Sequence, residues 1–298
     1  MDNTIQVFHD TPMQVGECPL WHPHEGVLYW VDIDGFAVHR KDPTTGEHRQ
    51  FDMDSEPCAI GIHATGGLVV ARRDGFVHLD TATGSVTKIA DAPYDTATTR
   101  FNDGRVDPGG RFWVGTRYEP ADKPAAEMYV LEHGKVHRAW SGNMTNSNGL
   151  GFSPAGDAMY HSDTTTHRID RYDFDALAGK ARHVLRFQQF STDKTAPDYG
   201  GRPDGAAVDS EGAYWCAMFE GARILRFSAT GKLLQEIKLP VQCPTMMAFG
   251  GDDLRTLYIT SASHKRPDAE KARLPLTGKV LSLRVEVPGR AEHVYQPA

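Results

Sequence analysis

An all-β fold is what this sequence predicts, and three observations predict it. A short phrase recurs six times, as ECPLWHPHEGVLYWVD, CAIGIHATGGLVVAR, NDGRVDPGGRFWVGT, NGLGFSPAGDAMYHSD, DGAAVDSEGAYWCAM and TMMAFGGDDLRTLYIT. Each joins an apolar run to an aromatic and β-branched run through a turn rich in Gly or Pro. The apolar residues just before the turn, Trp21, Ile62, Val106, Phe152, Val208 and Phe249, lie 41 to 56 residues apart. No stretch carries an extended 3.6-residue apolar period, so helices should be scarce. Strand-patterned repeats of about 40–50 residues mark propeller blades of about four strands each. The expected architecture is a six-bladed β-propeller of four-stranded antiparallel blades, a single domain over residues 1–298.

The stretches between phrases supply the remaining strands. VLYWVDI is followed by AVHRKD, a Thr-Thr-Gly turn and HRQFDM; LVVARR is followed by FVHLDT, an Ala-Thr-Gly turn and VTKIAD. Such runs, broken by Gly, Asp, Pro and Thr, read as antiparallel strands with tight turns. The first residues, Ile5-Gln6-Val7-Phe8, read as a strand that completes the last blade beside VLSLRVEV and EHVYQ. That pairing covers an edge that would otherwise invite association; the alternative is an ordinary strand of the first blade. The segment RYEPADKPAA, residues 117–126, is long enough to be a lid over a site, and equally an ordinary connector.

Composition narrows the function class. The chain of 298 residues carries 32 Lys+Arg against 39 Asp+Glu, and a net charge of −7 argues against a nucleic-acid partner. No apolar stretch is long enough for a membrane helix, and MDNTIQVF lacks the basic-then-apolar pattern of a signal peptide. Cys18, Cys58, Cys216 and Cys243 lie far apart with no Cys-x-x-Cys pair, so a reduced, cytoplasmic protein is expected. The Asn143-Met144-Thr145 sequon is then a chance match, and nothing implies a protein partner.

Four residues before each anchor stand Glu17, Cys58, Asn102, Asn148, Asp204 and Thr245, four of them carboxylates or carboxamides. Innermost propeller strands run along the central channel, so their equivalent ends should meet at one mouth. Alternation along a strand places these residues on the anchors' face, with Arg100, Asn146 and Arg202 two positions earlier on that face too. Two carboxylates brought together raise the pKa of one of them unless a cation compensates. Oxygen-only ligands with two anions suit one divalent hard ion such as Ca2+, Mg2+ or Mn2+; Zn2+ fits an open, water-bearing site, though imidazole or thiolate would be more usual. The alternative is that Asn148-Gly149 and Asp204-Gly205 merely shape turns. Asp163, which ends YHSD, either lines the mouth or forms a turn, and His22, His24 and His161 read as surface or turn residues.

GECPLWHP, RFNDGRVDPGGRFWVGT, SNGLGFSPAGDAMYHSD, RPDGAAVDSEGAYWCA and FGGDDLRTLYITSA, in this order, resemble the family of gluconolactonase, regucalcin (senescence marker protein) and luciferin-regenerating enzyme. The likeness runs from about Ile5 to the C-terminus. It implies a six-bladed propeller holding one divalent metal through Glu17, Asn148 and Asp204, Ca2+ being favoured with Mg2+, Mn2+, Zn2+ and Fe2+ as further candidates. It also implies substrate contacts from Arg100 and Asn102, with Asn102 near the metal in some members. A further substrate-contacting Glu most nearly matches Glu119 in GTRYEP, with Pro120 the neighbouring alternative.

Many bacterial members hydrolyse aldonolactones, and this chain looks most like that branch. The resemblance therefore implies a lactonase acting on a small sugar lactone, with Asp204 as the catalytic base. Three other readings stay open: a non-catalytic calcium-binding regulator, a hydrolase of other esters including organophosphates, and a protein-interaction propeller.

Overall fold

In the computed structural model, which describes residues 4–297, six antiparallel sheets follow one another along the chain. Blade one comprises Gly16–His22, Val27–Asp32, Ala37–Lys41 and His48–Asp52; blade two comprises Pro57–His63, Leu68–Arg72, Gly75–Leu79 and Val86–Asp91. Blade three runs through Thr99–Val106, Phe112–Tyr118, Glu127–Glu132 and Lys135–Ser141, and blade four through Ser147–Phe152, Ala158–Asp163, Arg168–Asp175 and Lys180–Gln189. Blade five holds Arg202–Val208, Tyr214–Phe219, Arg223–Phe227 and Leu233–Lys238. Blade six holds Pro244–Gly250, Thr256–Ser261, Val280–Arg284 and, as its outermost strand, Gln6–His9. Each blade's first strand packs against the first strands of both neighbouring blades, so six inner strands surround one axis.

The repeated phrase is thus the inner hairpin of every blade. Its second strand is buried along its whole length in blades one, two and four, because neighbouring blades cover both faces. The core is correspondingly a series of inter-blade layers. Phe76, Phe101, Phe112 and Tyr129 join blades two and three, while Trp215, Phe249, Leu257 and Leu283 join blades five and six. Burying a large apolar side chain contributes about 1.5–3 kcal/mol, so these seams hold the ring together. In two blades an aspartate locks the hairpin. Asp107 accepts from Gly109 N, Arg111 N and Nε, and Trp113 Nε1 at 2.7–3.0 Å. Asp209 accepts from Glu211 N, Ala213 N, Trp215 Nε1 and Arg226 Nε at 2.8–3.0 Å.

Ring closure uses both ends of the chain, but in different blades. Gln6 and Val7 pair antiparallel with Ser282 and Leu281, as expected for an N-terminal strand completing the last blade. EHVYQ does not join that blade. Val294 and Tyr295 instead pair parallel with Ile62 and His63, making a fifth strand in blade two. The segment leading there crosses the end of the channel where the inner strands finish. Gly289 N bonds Leu254 O at 2.8 Å, Arg290 Nη1 bonds Ser153 O at 3.2 Å, and Glu292 pairs with the buried Arg105. The tail therefore ties blades six, four, three and two together and fills that end. Among the described residues the one helix is Asp268–Arg273, six residues inside blade six, and none is long and apolar enough to cross a membrane.

At the seam between blades six and one, His39 and His48 stack with Trp30, His9 lies tilted against Trp30 and His48, and His39 Nδ1 lies 3.1 Å from His48 Nε2. Burial, then the neighbouring His48, pushes His9 from 6.5 to about 4, and the same two causes push His39 to about 3. The folded values lie below the unfolded value, so between about pH 6.5 and 4 the unfolded chain binds more protons. Stability from this seam is present above that window and lost as pH falls through it. His9 Nε2 is buried with no hydrogen-bond partner among the described residues, so Phe can replace it without losing that bond. We expect His9→Phe to leave the thermal midpoint at pH 7.5 within a few degrees and to shrink the drop on acidification to pH 4.5, as read by calorimetry. An unchanged acid drop would remove His9 from the seam's pH dependence.

Candidate active site

The six ring positions converge, but not by the regular alternation the sequence implied. Every inner strand has its register shift at this step, between Glu17 and Leu20, Pro57 and Ala59, Phe101 and Gly104, Asn148 and Gly151, Pro203 and Ala206, and Pro244 and Met247. A β-bulge re-aims a side chain by breaking the two-residue period. The backbone here enters the left-handed region at Cys18 (φ 44°) and Gly149 (φ 61°). At Gly149 an added Cβ would also run into Tyr214 Oη and Ser162 Oγ. Asn148-Gly149 and Asp204-Gly205 accordingly lie in inner-strand bulges, not in hairpin turns, which overturns the turn-forming alternative.

A continuous hydrogen-bond chain runs around half of this mouth. Arg100 Nη1 donates to Asn102 Oδ1 at 2.7 Å and to Phe101 O at 2.8 Å. Asn102 Nδ2 donates to Asn148 Oδ1 and to Ser147 O, each at 2.8 Å. Asn148 Nδ2 donates to Thr164 Oγ1 at 2.7 Å, and that hydroxyl donates to Pro203 O at 2.8 Å, next to Asp204. The network fixes both amide orientations: the Asn148 nitrogen faces Thr164, toward blade five, and its oxygen faces Asn102, toward blade three.

The carboxylates are placed differently. Glu17 and Asp204 are both buried, yet among the described residues Glu17 accepts only Cys18 N, at 3.2 Å, and none donates to the Asp204 side chain. Burial, then the charges of Asp204 and Asp103, drives Glu17 well above the ordinary glutamate range. Burial raises Asp204 to about 8; Asp103 adds to this, and Arg202, Arg117 and Arg100 oppose it. Asp103 is a third carboxylate that the sequence reading did not single out. Leu150 N donates to its Oδ2 at 2.9 Å, its Oδ1 is buried without a partner among the described residues, and burial raises it to about 6. Its signal was in plain view, one residue after Asn102 inside the same bulge.

The other ring members turn to structural work. Thr245 Oγ1 bonds Gly16 O and Thr260 Oγ1, stitching blade six to blade one. The Cys58 thiol meets Glu56 O at 3.4 Å and Arg100 Nη1 at 3.8 Å. All four cysteines are free and buried. Arg202 reaches Glu220 at 3.5 Å and lies over the Phe219 ring. Asp163 proves to be the turn-forming alternative: it accepts Thr145 N, Asn146 N and Thr166 Oγ1 at 2.7–3.1 Å and braces the chain entering blade four. His161 and His22 are buried rather than on the surface, with His161 Nε2 2.9 Å from Ser147 Oγ. Ser147 precedes Asn148, so His161 supports the ring from behind.

Glu119 sits at the mouth beside Arg100, its Oε1 3.8 Å from Arg100 Nε. Both of its oxygens are held by Arg73 at 3.0 Å, and Arg73 also grips Glu56 at 2.7 Å. Burial alone would raise Glu119, but the Arg73 hydrogen bonds outweigh it and hold the carboxyl below the ordinary glutamate range. Arg117 and Tyr118 belong to the second strand of blade three, so only residues 119–126 form the connector proposed as a lid.

The donor set fits a hard divalent cation. Two buried carboxylates short of protein donors create a need for positive charge, and the Asn148 oxygen, which accepts from Asn102, keeps a lone pair to offer. No three His, Cys, Asp or Glu side chains among the described residues cluster to hold an ion, so such a cation would depend on the Asn148 oxygen as well.

Residues 15–263 match the family described as the SMP-30/Gluconolactonase/LRE-like region. The chain is 42% identical over 297 residues to a 6-deoxy-6-sulfogluconolactonase of Pseudomonas putida, covering 99% of each. Its fold superposes on a calcium-binding protein, regucalcin, from Agrobacterium tumefaciens with a TM-score of 0.91 and 30% identity, over 97% of this chain and 96% of that one. It also superposes on a luciferin-regenerating enzyme with a TM-score of 0.87 and 28% identity, over 98% and 99% of the two chains.

A raised carboxyl has a stability consequence of opposite sign to the histidine seam. Asp204 rises from 3.8 to about 8 on folding, so its contribution is fully present below pH 3.8 and lost as pH climbs toward 8. In chelator-treated protein we expect Asp204→Asn to raise the melting temperature over the parent by at least about 2–4 °C more at pH 8 than at pH 5. A gap that fails to widen with pH would show that Asp204 carries no uncompensated charge.

Proposed function

The chain belongs to the SMP-30/gluconolactonase/LRE-like family, and from that premise we propose that it hydrolyses sugar lactones to the corresponding aldonic acids with one divalent cation at the channel mouth. The observation that carries the reading is the joint burial of Glu17 and Asp204, short of protein donors, on the same ring as the bonded Arg100–Asn102–Asn148 chain. A relative at 42% identity named for a lactonase activity supports the substrate class, and the regucalcin likeness supports Ca2+ as the preferred ion over Mg2+, Mn2+, Zn2+ or Fe2+.

Glu17, Asn148 and Asp204 are the residues that would hold the cation. When bound, it supplies Lewis-acid polarisation of the ester carbonyl and eases the ionisation of water at the site. With that positive charge beside it, Asp204 would be held as a carboxylate near neutral pH. As general base, Asp204 takes a proton from the attacking water while the oxygen adds to the carbonyl carbon. It then returns that proton to the ring oxygen as the ester bond breaks, so the lactone opens to the hydroxy acid with no other reagent. The Arg100 guanidinium stabilises the tetrahedral oxyanion, and Asn102 holds Arg100 while orienting the sugar hydroxyls. Glu119, fixed by Arg73, presents a low-pKa carboxylate as an acceptor for a further hydroxyl.

A pH-stat screen of aldonolactones with chelator-stripped and metal-reloaded protein tests the whole reading. Stripping should abolish ring opening beyond the spontaneous rate and reloading should restore it. A protein that binds Ca2+ yet opens no lactone would favour a calcium-binding regulator instead. Asp204→Asn should lower turnover by about 10²–10⁴-fold in folded protein, and near-normal turnover would take Asp204 out of the base role. Arg100→Ala should lower kcat/KM for polyhydroxylated lactones by about 10²–10³-fold, and an unchanged value would place Arg100 away from the reacting ester.

A further inference from the structure

We propose that Arg117 is a specificity residue that selects lactones carrying a singly charged tetrahedral oxyanion, a sulfonate, at the far end of the sugar. This deepens the lactonase reading and rests on it. Arg117 stands directly across the inner hairpin of blade three from Arg100. Opposed residues of an antiparallel pair project to the same side, so the two guanidinium groups share the mouth. The other neighbouring arginines are already matched. Arg73 holds Glu119 and Glu56, Arg100 holds Asn102 and faces Glu119, and Arg202 faces Glu220. Arg117 alone of these four has neither a hydrogen bond nor an ion pair to any described residue. It is open to solvent, yet ringed by protein in the concavity and within the electrostatic reach of Arg100, Glu119, Asp204 and Asp34.

A planar guanidinium left unpaired beside a reaction centre is a ready fork for an oxyanion. It stands on the second strand of blade three, one strand outward of the ring, on the side where the end of a sugar remote from the ester would lie. Across an isolated backbone bridge from Arg117 stands Asn146, whose buried carboxamide oxygen has no partner among the described residues. That oxygen can accept a hydroxyl of the sugar next to the anionic group. Only one guanidinium is free, and Asp204 and Glu119 contribute negative charge nearby, so a monoanionic sulfonate is favoured over a phosphate dianion.

The test compares 6-deoxy-6-sulfogluconolactone, 6-phosphogluconolactone and unsubstituted gluconolactone on parent, Arg117→Met, Arg117→Lys and, as a control on the adjoining connector, Lys123→Ala. The parent and Lys123→Ala should prefer the sulfonated lactone. Arg117→Met should lose about 10–100-fold in kcat/KM for it while staying within about threefold on the neutral lactone. Arg117→Lys, which keeps charge without the fork, should recover part of the loss. Equal losses on sulfonated and neutral lactones, no loss on either, or a phosphorylated lactone preferred by the parent would each overturn the proposal. Calorimetric binding of the opened sulfonated acid against gluconate separates this claim from the lactonase reading. A parent that opens no lactone but binds the sulfonated acid more tightly through Arg117 sinks the enzymatic reading and keeps the specificity site; equal binding by parent and Arg117→Met sinks the site.

Discussion

Closure of the ring is the constraint on which everything else depends. Residues of the mouth come from inner strands separated by more than forty positions in sequence, and they meet only because six blades complete a circle. Several contacts close it: Gln6 and Val7 pair with Ser282 and Leu281, Val15 bridges Ala262, Thr245 Oγ1 bonds Gly16 O, and the C-terminal tail is clasped against blades six, four, three and two. Inter-blade apolar layers hold neighbouring blades together, the seam of blades six and one included, where Trp21, Leu28 and Trp30 pack with Tyr258 and Val280. Propeller blades left unclosed would expose sheet edges, and here Gln6–His9 covers the outer one.

Within that ring the charges are distributed in two ways. On the side of blades two and three, arginine and glutamate neutralise each other through Arg73, Glu56, Glu119 and Arg100. On the side of blades one and five, Glu17 and Asp204 stand with hardly a protein donor. Asp103 beneath them adds a third carboxyl, so the mouth has a steep gradient from balanced to uncompensated charge. Burying such groups costs stability unless something positive joins them, which is why the arrangement reads as a site and not as scaffolding. The rest of the channel is treated oppositely, with Arg105 paired to Glu292 and satisfied by Leu150 O and Ala206 O.

The periodic phrase made the number of blades and the identity of the ring position readable before any coordinates. Glu17, Asn102, Asn148 and Asp204 stood out because an inner strand otherwise holds apolar residues and glycine. The reason they point inward was not readable: alternation was the expectation, and a bulge in all six strands is what turns them. Asp163 shows the limit from another direction. An aspartate ending a strand looks the same whether it lines a cavity or accepts the amides of Thr145 and Asn146, and only the path of the incoming chain decides.

By itself, then, the sequence determined a repeated strand-turn-strand unit, its sixfold count, and the oxygen-bearing step inside it. These are local properties, set by side-chain periodicity and turn chemistry within a few residues. Tertiary structure alone decided where EHVYQ docks, that Asp103 joins the carboxylates, that Arg73 takes Glu119, and that Arg117 is left without a partner among the described residues. Each of those outcomes depends on which distant strand a charged side chain faces. Coulombic pairing acts through space with no periodic trace along the chain.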